Sequence, residues 1–250
     1  KENKVRNVSS LVEDWNNVTI SAENLDRIKN TDLSSMPIVD EGFTFAPCIA
    51  GVGKFICIGL NYSDHAAETG QEVPKEPIMF MKATSAICGP NDDIIIPKNS
   101  SKSDWEVELG VVIGKETKHI EEKQSQDHIA GYCVVNDLSE REFQLEHYGQ
   151  WVKGKSCDTF GPIGPYLVTK DEVADPQNLK MWLDVNGKRM QDGSTSTMVY
   201  NVNFLVSYLS QFMSLQPGDI ISTGTPPGVG MGKKPPLYLK SGDTMKLGIE

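Results

Sequence analysis

The segment Asp104-Trp105-Glu106-Val107-Glu108-Leu109-Gly110-Val111-Val112-Ile113 sets two carboxylates one residue apart inside an apolar run. In an extended chain the period of two puts Trp105, Val107, Leu109, Val111 and Ile113 on one face, and Asp104, Glu106, Glu108 and Gly110 on the other. An acid-x-acid pattern by itself most often marks a solvated strand face. Two features argue for more. No lysine separates the acids, and like charges on one strand face are costly unless a cation or a proton comes between them. A second apolar run, Gly131-Tyr132-Cys133-Val134-Val135-Asn136-Asp137, reads as a buried strand that ends in a carboxylate. Glu106, Glu108 and Asp137 together offer hard oxygen donors that suit Mg²⁺ or Mn²⁺, whereas zinc would recruit His or Cys.

Other candidates are weaker alone. In Gly59-Leu60-Asn61-Tyr62-Ser63-Asp64-His65-Ala66-Ala67-Glu68 a strand runs into a helix on which His65 and Glu68 share a face. A carboxylate orienting an imidazole makes a general base near neutral pH, and Gly59 and Gly70 would let the segment move. The plain alternative is a surface i,i+3 pair. Lys155, in Lys153-Gly154-Lys155-Ser156-Cys157, is either a surface lysine or, beside a metal, the positive charge a developing enolate needs. Cys157 reads as a small buried thiol rather than a nucleophile. The loop Thr223-Gly224-Thr225-Pro226-Pro227-Gly228 lacks the Gly-Lys-Ser/Thr of a phosphate loop; its hydroxyls and N–H groups either hold a carboxylate or make a tight turn.

These residues need a scaffold. From Lys54 onward, short apolar runs at 55–60, 78–81, 94–96, 107–113, 131–135 and 181–185 are separated by Gly, Pro and Asn-Asp turns, and they read mostly as strand. One clear helix carries Phe204, Leu205, Tyr208, Leu209 and Phe212 on one face and stops at Gln216-Pro217-Gly218-Asp219; a shorter one is expected at 63–68. Strands and helices do not alternate as a doubly wound sheet requires. The expectation is a mixed, β-rich α+β fold with a small N-terminal domain over 1–50 and a catalytic domain over 51–250.

Composition narrows the function. A formal net charge of −10 without a basic run argues against nucleic acid, and no apolar stretch reaches the roughly 20 residues that span a bilayer. A soluble, cytoplasmic protein is expected. Five scattered cysteines without a CxxC pair point to reduced thiols rather than a disulfide framework. Starting at Lys1 and stopping within the apolar run 244–249, the chain is read as trimmed at either end.

In chain order, Gly59 to Tyr62 with His65 and Glu68, Asp104 to Glu108, Asn136-Asp137 with Arg141 and Gln144, Lys155 to Thr159, and Thr223 to Pro226 resemble the fumarylacetoacetase family. Gln150 to Pro165 and the Gly228 to Gly232 loop are most similar to its bacterial hydrolases of 2,4-dioxo sugar acids. The resemblance implies a homodimer built on a rolled, mixed β-sheet core. It also implies metal ligands Glu106, Glu108 and Asp137, a lid dyad of His65 and Glu68, Lys155 at the reacting centre, and substrate contacts from Arg141, Gln144 and Thr225. The implied activity is metal-dependent hydrolysis of a C–C bond in a small anionic 2,4-dioxo acid. Ureidoglycolate lyase, oxaloacetate decarboxylase and dienoate isomerase could use the same site, and a catalytically silent 2-oxo acid binder is the non-enzymatic alternative.

Overall fold

The computed structural model describes residues 4–39, 42–70 and 72–250. Its centre is a mixed six-stranded sheet in the order Ile78–Lys82, Phe55–Gly59, Ile220–Ser222, Val107–Ile113, Ile129–Asn136 and Val168–Thr169. Only the pair Phe55–Gly59 and Ile220–Ser222 runs parallel within it; the other neighbours are antiparallel. A second, three-stranded antiparallel sheet is made by Lys188–Ser194, Lys180–Val185 and Met245–Ile249. The fold is therefore mixed and sheet-rich, as the short apolar runs and turn residues predict.

The strands read as apolar because both faces of the large sheet are covered. On one face Ile56, Ile58, Leu109, Val111 and Ile113 pack against Val202, Leu205, Val206 and Leu209 of the helix Val202–Ser210. On the other, Phe55, Cys57, Val112, Cys133 and Ile220 pack with Ile20 and Ile49. The leading segment thus contributes to the core of the main sheet. A third cluster joins Trp105, Val107, Leu138 and Phe160 to Met181, Leu183 and Val185 of the small sheet.

Two local expectations need correction. The run 94–96 forms no strand: it sits between the turn at Gly89-Pro90-Asn91-Asp92 and Pro97, its Ile95 N–H donates to Thr159 Oγ1 at 2.9 Å, and Ile95 is exposed. The helix ends at Ser210, and of the expected face Phe204 and Phe212 lie outside the core cluster while Tyr208 packs partly against it. Leu205 and Leu209 point into the core while Tyr200, Phe204, Tyr208 and Phe212 form a ladder of ring contacts 4.9–5.8 Å apart beside it. The acidic face of the 107–113 strand is buried, unlike a solvated strand face. Glu106 and Glu108 are 5% and 2% exposed, covered by the partners described below. All five cysteines are free thiols, and among the described residues no helix is long and apolar enough to cross a membrane.

Candidate functional site

Adjacent antiparallel strands bring the three acids together. Val107 lies opposite Asn136, so Glu106 and Asp137, one step beyond each, meet at the strand ends. That junction is pinned twice: the Asp137 N–H donates to the Glu106 carbonyl at 2.9 Å, and the Glu106 N–H donates to Asn136 Oδ1 at 3.0 Å. Glu108 follows on the same strand, opposite Val135. One carboxylate oxygen from each of Glu106, Glu108 and Asp137 lies within 4.8 Å of the others, and all three side chains are buried.

Cations hold most of these oxygens. Arg141 Nη2 is 2.6 Å from Glu106 Oε1, and Lys155 Nζ is 2.6 Å from Glu106 Oε2 and 2.7 Å from Asp137 Oδ2. Lys82 Nζ takes the remaining Asp137 oxygen at 2.5 Å and donates to the Leu138 carbonyl at 2.9 Å. Glu108 has neutral partners instead, accepting from Ser222 Oγ at 2.6 Å and the Gly224 N–H at 2.9 Å.

The electrostatics follow these partners. Burial works to raise the Glu106 carboxyl, but the Lys155 and Arg141 charges overcome it and pull it down to about 2. Burial, then the charges of Asp137 and Glu106, push the Glu108 carboxyl well above the usual carboxylate range. Burial also opposes the charge on Lys155, yet Asp137 and Glu106 raise its ammonium above the ordinary lysine value. The protein's own cations thus leave one of three clustered carboxyls short of a positive partner. A hard divalent cation fits that donor set: three buried carboxylate oxygens, no thiol or imidazole required.

Each position has a local cause. Lys155 ends the short helix Val152–Lys155, which packs so closely that a Cβ on Gly154 would lie 2.3 Å from the Glu140 carbonyl and 2.6 Å from the Gln144 nitrogen. Its Nζ also sits 5.2 Å from the centre of the Phe80 ring. Arg141 and Gln144 precede and occupy a π-helical turn, Glu142–Glu146. Arg141 Nε donates to Asp104 Oδ2 at 2.8 Å and Nη1 to Gln144 Oε1 at 3.1 Å, so the guanidinium is anchored on protein partners on three sides. Thr225 lines the cavity too, but its hydroxyl donates to the Val107 carbonyl at 2.9 Å and accepts from Gln191 Nε2 at 2.8 Å. These three residues reach the site with much of their hydrogen-bonding capacity already used by the protein.

The pair expected on the 63–68 helix also forms, on Ser63–Thr69. His65 Nδ1 is 3.3 Å from Glu68 Oε2, and both Glu68 oxygens accept from the Gly228 N–H at 3.0 Å. Burial works to raise the Glu68 carboxyl, but the His65 and Gly228 hydrogen bonds hold it below its ordinary value. An ionised Glu68 accepts the Nδ1 proton, so a neutral His65 carries its lone pair on Nε2. The helix closes on Gly70, with φ of 69°. Gly59 makes room for Trp151: a Cβ there would stand 2.5 Å from its ring.

All nine residues singled out from sequence lie at this site. His65, Glu106, Glu108, Asp137, Arg141, Gln144, Lys155 and Thr225 line a common cavity of about 50 Å³, and Glu68 supports His65 from behind. Sequence reasoning missed Lys82, whose signal was a lone charge closing the apolar run 78–81, and the aromatic wall of Phe80 and Trp151, whose ring centres are 5.4 Å apart. It also missed Asp104 as the anchor of Arg141.

Comparison with known proteins agrees with this geometry. Residues 54–250 match the model of the fumarylacetoacetate (FAA) hydrolase C-terminal family. A protein of Burkholderia cenocepacia (strain HI2424), provisionally named a hydrolase, is 58% identical over 248 residues, covering 99% of this chain and 88% of the relative. A solved structure from Mycobacterium smegmatis, provisionally titled an HpcE protein, superposes with a TM-score of 0.91 at 35% identity, covering 100% of this chain and 90% of that one. The 2-hydroxyhepta-2,4-diene-1,7-dioate isomerase of Mycobacterium marinum gives a TM-score of 0.69 at 36% identity, over 88% and 76% of the two chains. With the carboxylate cluster, the lysine beside it and the sheet that carries both, the chain belongs to the fumarylacetoacetate hydrolase C-terminal family.

Proposed function

We propose that the protein is a metal-dependent hydrolase that cleaves the C3–C4 bond of a small 2,4-dioxo acid and releases pyruvate or a related 2-oxo acid. The observation that carries this reading is the convergence of Glu106, Glu108, Asp137, Lys155 and His65 on one cavity. Glu106, Glu108 and Asp137 would hold Mg²⁺ or Mn²⁺, which would supply Lewis-acid polarisation of the 2-oxo group and positive charge for a developing enolate.

The chain's own groups then divide the work. Lys155 places an ammonium beside the same carboxylates, where it would hold the substrate's 2-oxo oxygen as negative charge builds there. His65 Nε2, oriented through the Glu68 contact, would take a proton from water as the water oxygen bonds to C4. The C3–C4 pair leaves onto the three-carbon fragment as an enolate, whose protonation at C3 gives pyruvate, and C4 departs as a carboxylic acid. Phe80 and Trp151 would shield one side of the cavity from bulk water.

A second reading, isomerisation of a dienoate, draws on the likeness to the Mycobacterium marinum isomerase. It needs proton transfer but no attacking water. A homodimer and a cytoplasmic location are further parts of the proposal, supported by the family resemblance. The test is pyruvate release from a panel of acylpyruvates and 2,4-dioxo-3-deoxy sugar acids, with Mg²⁺ and with EDTA, alongside oxaloacetate, ureidoglycolate and a 2-hydroxydienoate. Metal-dependent release from a dioxo acid is expected. Turnover of only the other compounds would withdraw the water-activating role of His65.

A further inference from the structure

Asp104 is fully buried and stands outside the triad of Glu106, Glu108 and Asp137, yet each of its oxygens is shared between the core and one loop. Oδ1 accepts from the Trp105 N–H at 2.8 Å and from the Gly230 N–H at 2.6 Å. Oδ2 accepts from Arg141 Nε at 2.8 Å and from the Met231 N–H at 3.0 Å. The loop held in this way, which includes the turn Gly230–Gly232, also reaches the other half of the site. Its Gly228 N–H donates to both Glu68 oxygens at 3.0 Å, while the Gly228 carbonyl accepts from Trp105 Nε1 at 3.1 Å.

The seat is close-fitting. A Cβ on Gly230 would stand 2.0 Å from the Leu237 carbonyl and 2.7 Å from Asp104 Oδ1, so the loop lies on the carboxylate only where no side chain intervenes. Val229, between the two anchor points, is fully buried. A path of contacts therefore runs from Glu106 through Arg141 to Asp104, along the loop from Gly230 to Gly228, and on to Glu68 and His65. It gives the Glu68 end of a short helix a fixed attachment to the core that carries the carboxylates.

We infer that Asp104 is a positioning residue for the proton-transfer pair: by seating loop 228–232 it fixes Glu68, and with it His65, in register with Arg141 and the carboxylate cluster. The inference rests on the hydrolase reading above for the role of His65, though not for the coupling itself. An amide at position 104 could not replace the carboxylate. Its one oxygen would serve the donors on one side, and its NH₂ would face N–H donors on the other. Since each side includes a loop N–H, either orientation breaks a loop bond.

The test compares Asp104→Asn with Gly230→Ala, which lifts the loop without changing a charge, so that one variant carries the test if the other fails to fold. Hydrogen exchange is read over 63–69 and 228–232 with no substrate present. Exchange should quicken about threefold or more in both segments, although neither substitution lies on the 63–69 helix. Faster exchange confined to 228–232 overturns the inference. On the dioxo acid that the wild type turns over best, kcat of Gly230→Ala should fall about tenfold or more while its Mn²⁺ affinity holds. An equal loss of both would mean general loosening and overturns the inference as well. Asp104→Asn should cost kcat about threefold or more less when made in Glu68→Gln than in the wild type, because the one acts through the other. Full additivity refutes the path. If no compound is turned over, the hydrolase reading fails and the exchange result alone decides the coupling.

Discussion

The carboxylate cluster and the His65–Glu68 pair line one cavity but are held in different ways. Glu108 lies on a central strand of the six-stranded sheet and Glu106 and Asp137 directly flank two of its strands, and each is buried among named donors, with Lys155 bridging two of them. His65 and Glu68 ride on a seven-residue helix, and Glu68 keeps 20% of its side chain exposed. Asn61 anchors the start of that helix through its side-chain contacts to Tyr200 and Thr223, and Gly228 grips its end through Glu68. The charge-bearing part of the site is thus woven into the core, whereas the proton-handling part is clipped onto it. The two should respond differently to damage.

The largest expected effect is at the cluster. Glu106→Ala leaves Arg141 and Lys155 buried with fewer counter-charges, a change that costs about 3–5 kcal/mol when a buried ion pair loses one partner. Metal-dependent turnover should vanish and the melting temperature should fall, both read on the same preparation. Retention of wild-type activity would break the claim that this carboxylate holds the metal.

Next comes the base. His65→Asn should lower kcat by about 10²–10⁴-fold, the range for loss of a general base, while leaving Mn²⁺ affinity and melting temperature nearly unchanged. A matching loss of metal affinity would show that the two regions are one structural unit.

The smallest effect concerns Glu68→Gln. Glu68 is held below its ordinary value by its His65 and Gly228 hydrogen bonds, so its contribution to stability is complete above about pH 4.5 and is lost as the pH falls through the lowered folded value. The melting temperatures of wild type and variant should differ modestly near neutrality and converge in acid. A difference that grew on acidification would contradict the ionised Glu68.

Several parts of this site were legible from residue order because they depend on local rules. Period-two spacing put Glu106 and Glu108 on one face, an apolar run ending in Asp137 marked a buried strand end, and i,i+3 spacing brought His65 to Glu68. Other parts depend on which strands become neighbours. Lys82 reaches Asp137 across 55 residues and Asp104 reaches Arg141 across 37, and nothing local announces either pairing. Thr225 lines the cavity, and its hydroxyl proton goes to the Val107 carbonyl, a partner 118 residues away. On the Val202–Ser210 helix Phe204 and Phe212 fall outside the core cluster, since a helical face is buried only where another element covers it.

By itself, the sequence determined the chemistry on offer: hard oxygen donors at or beside strand positions, an imidazole oriented by a carboxylate, and a lysine among small residues. It also determined that the chain would build sheets, because short apolar runs between turn residues have few other ways to bury themselves. Only the tertiary structure decided how the charges share one another. The sheet order set Lys82, Arg141 and Lys155 around four buried acids, and the close packing of Gly59 on Trp151 gave the cavity its apolar wall. Burial energy and Coulomb energy depend on distance in space, and residue order constrains that distance only over a few neighbours.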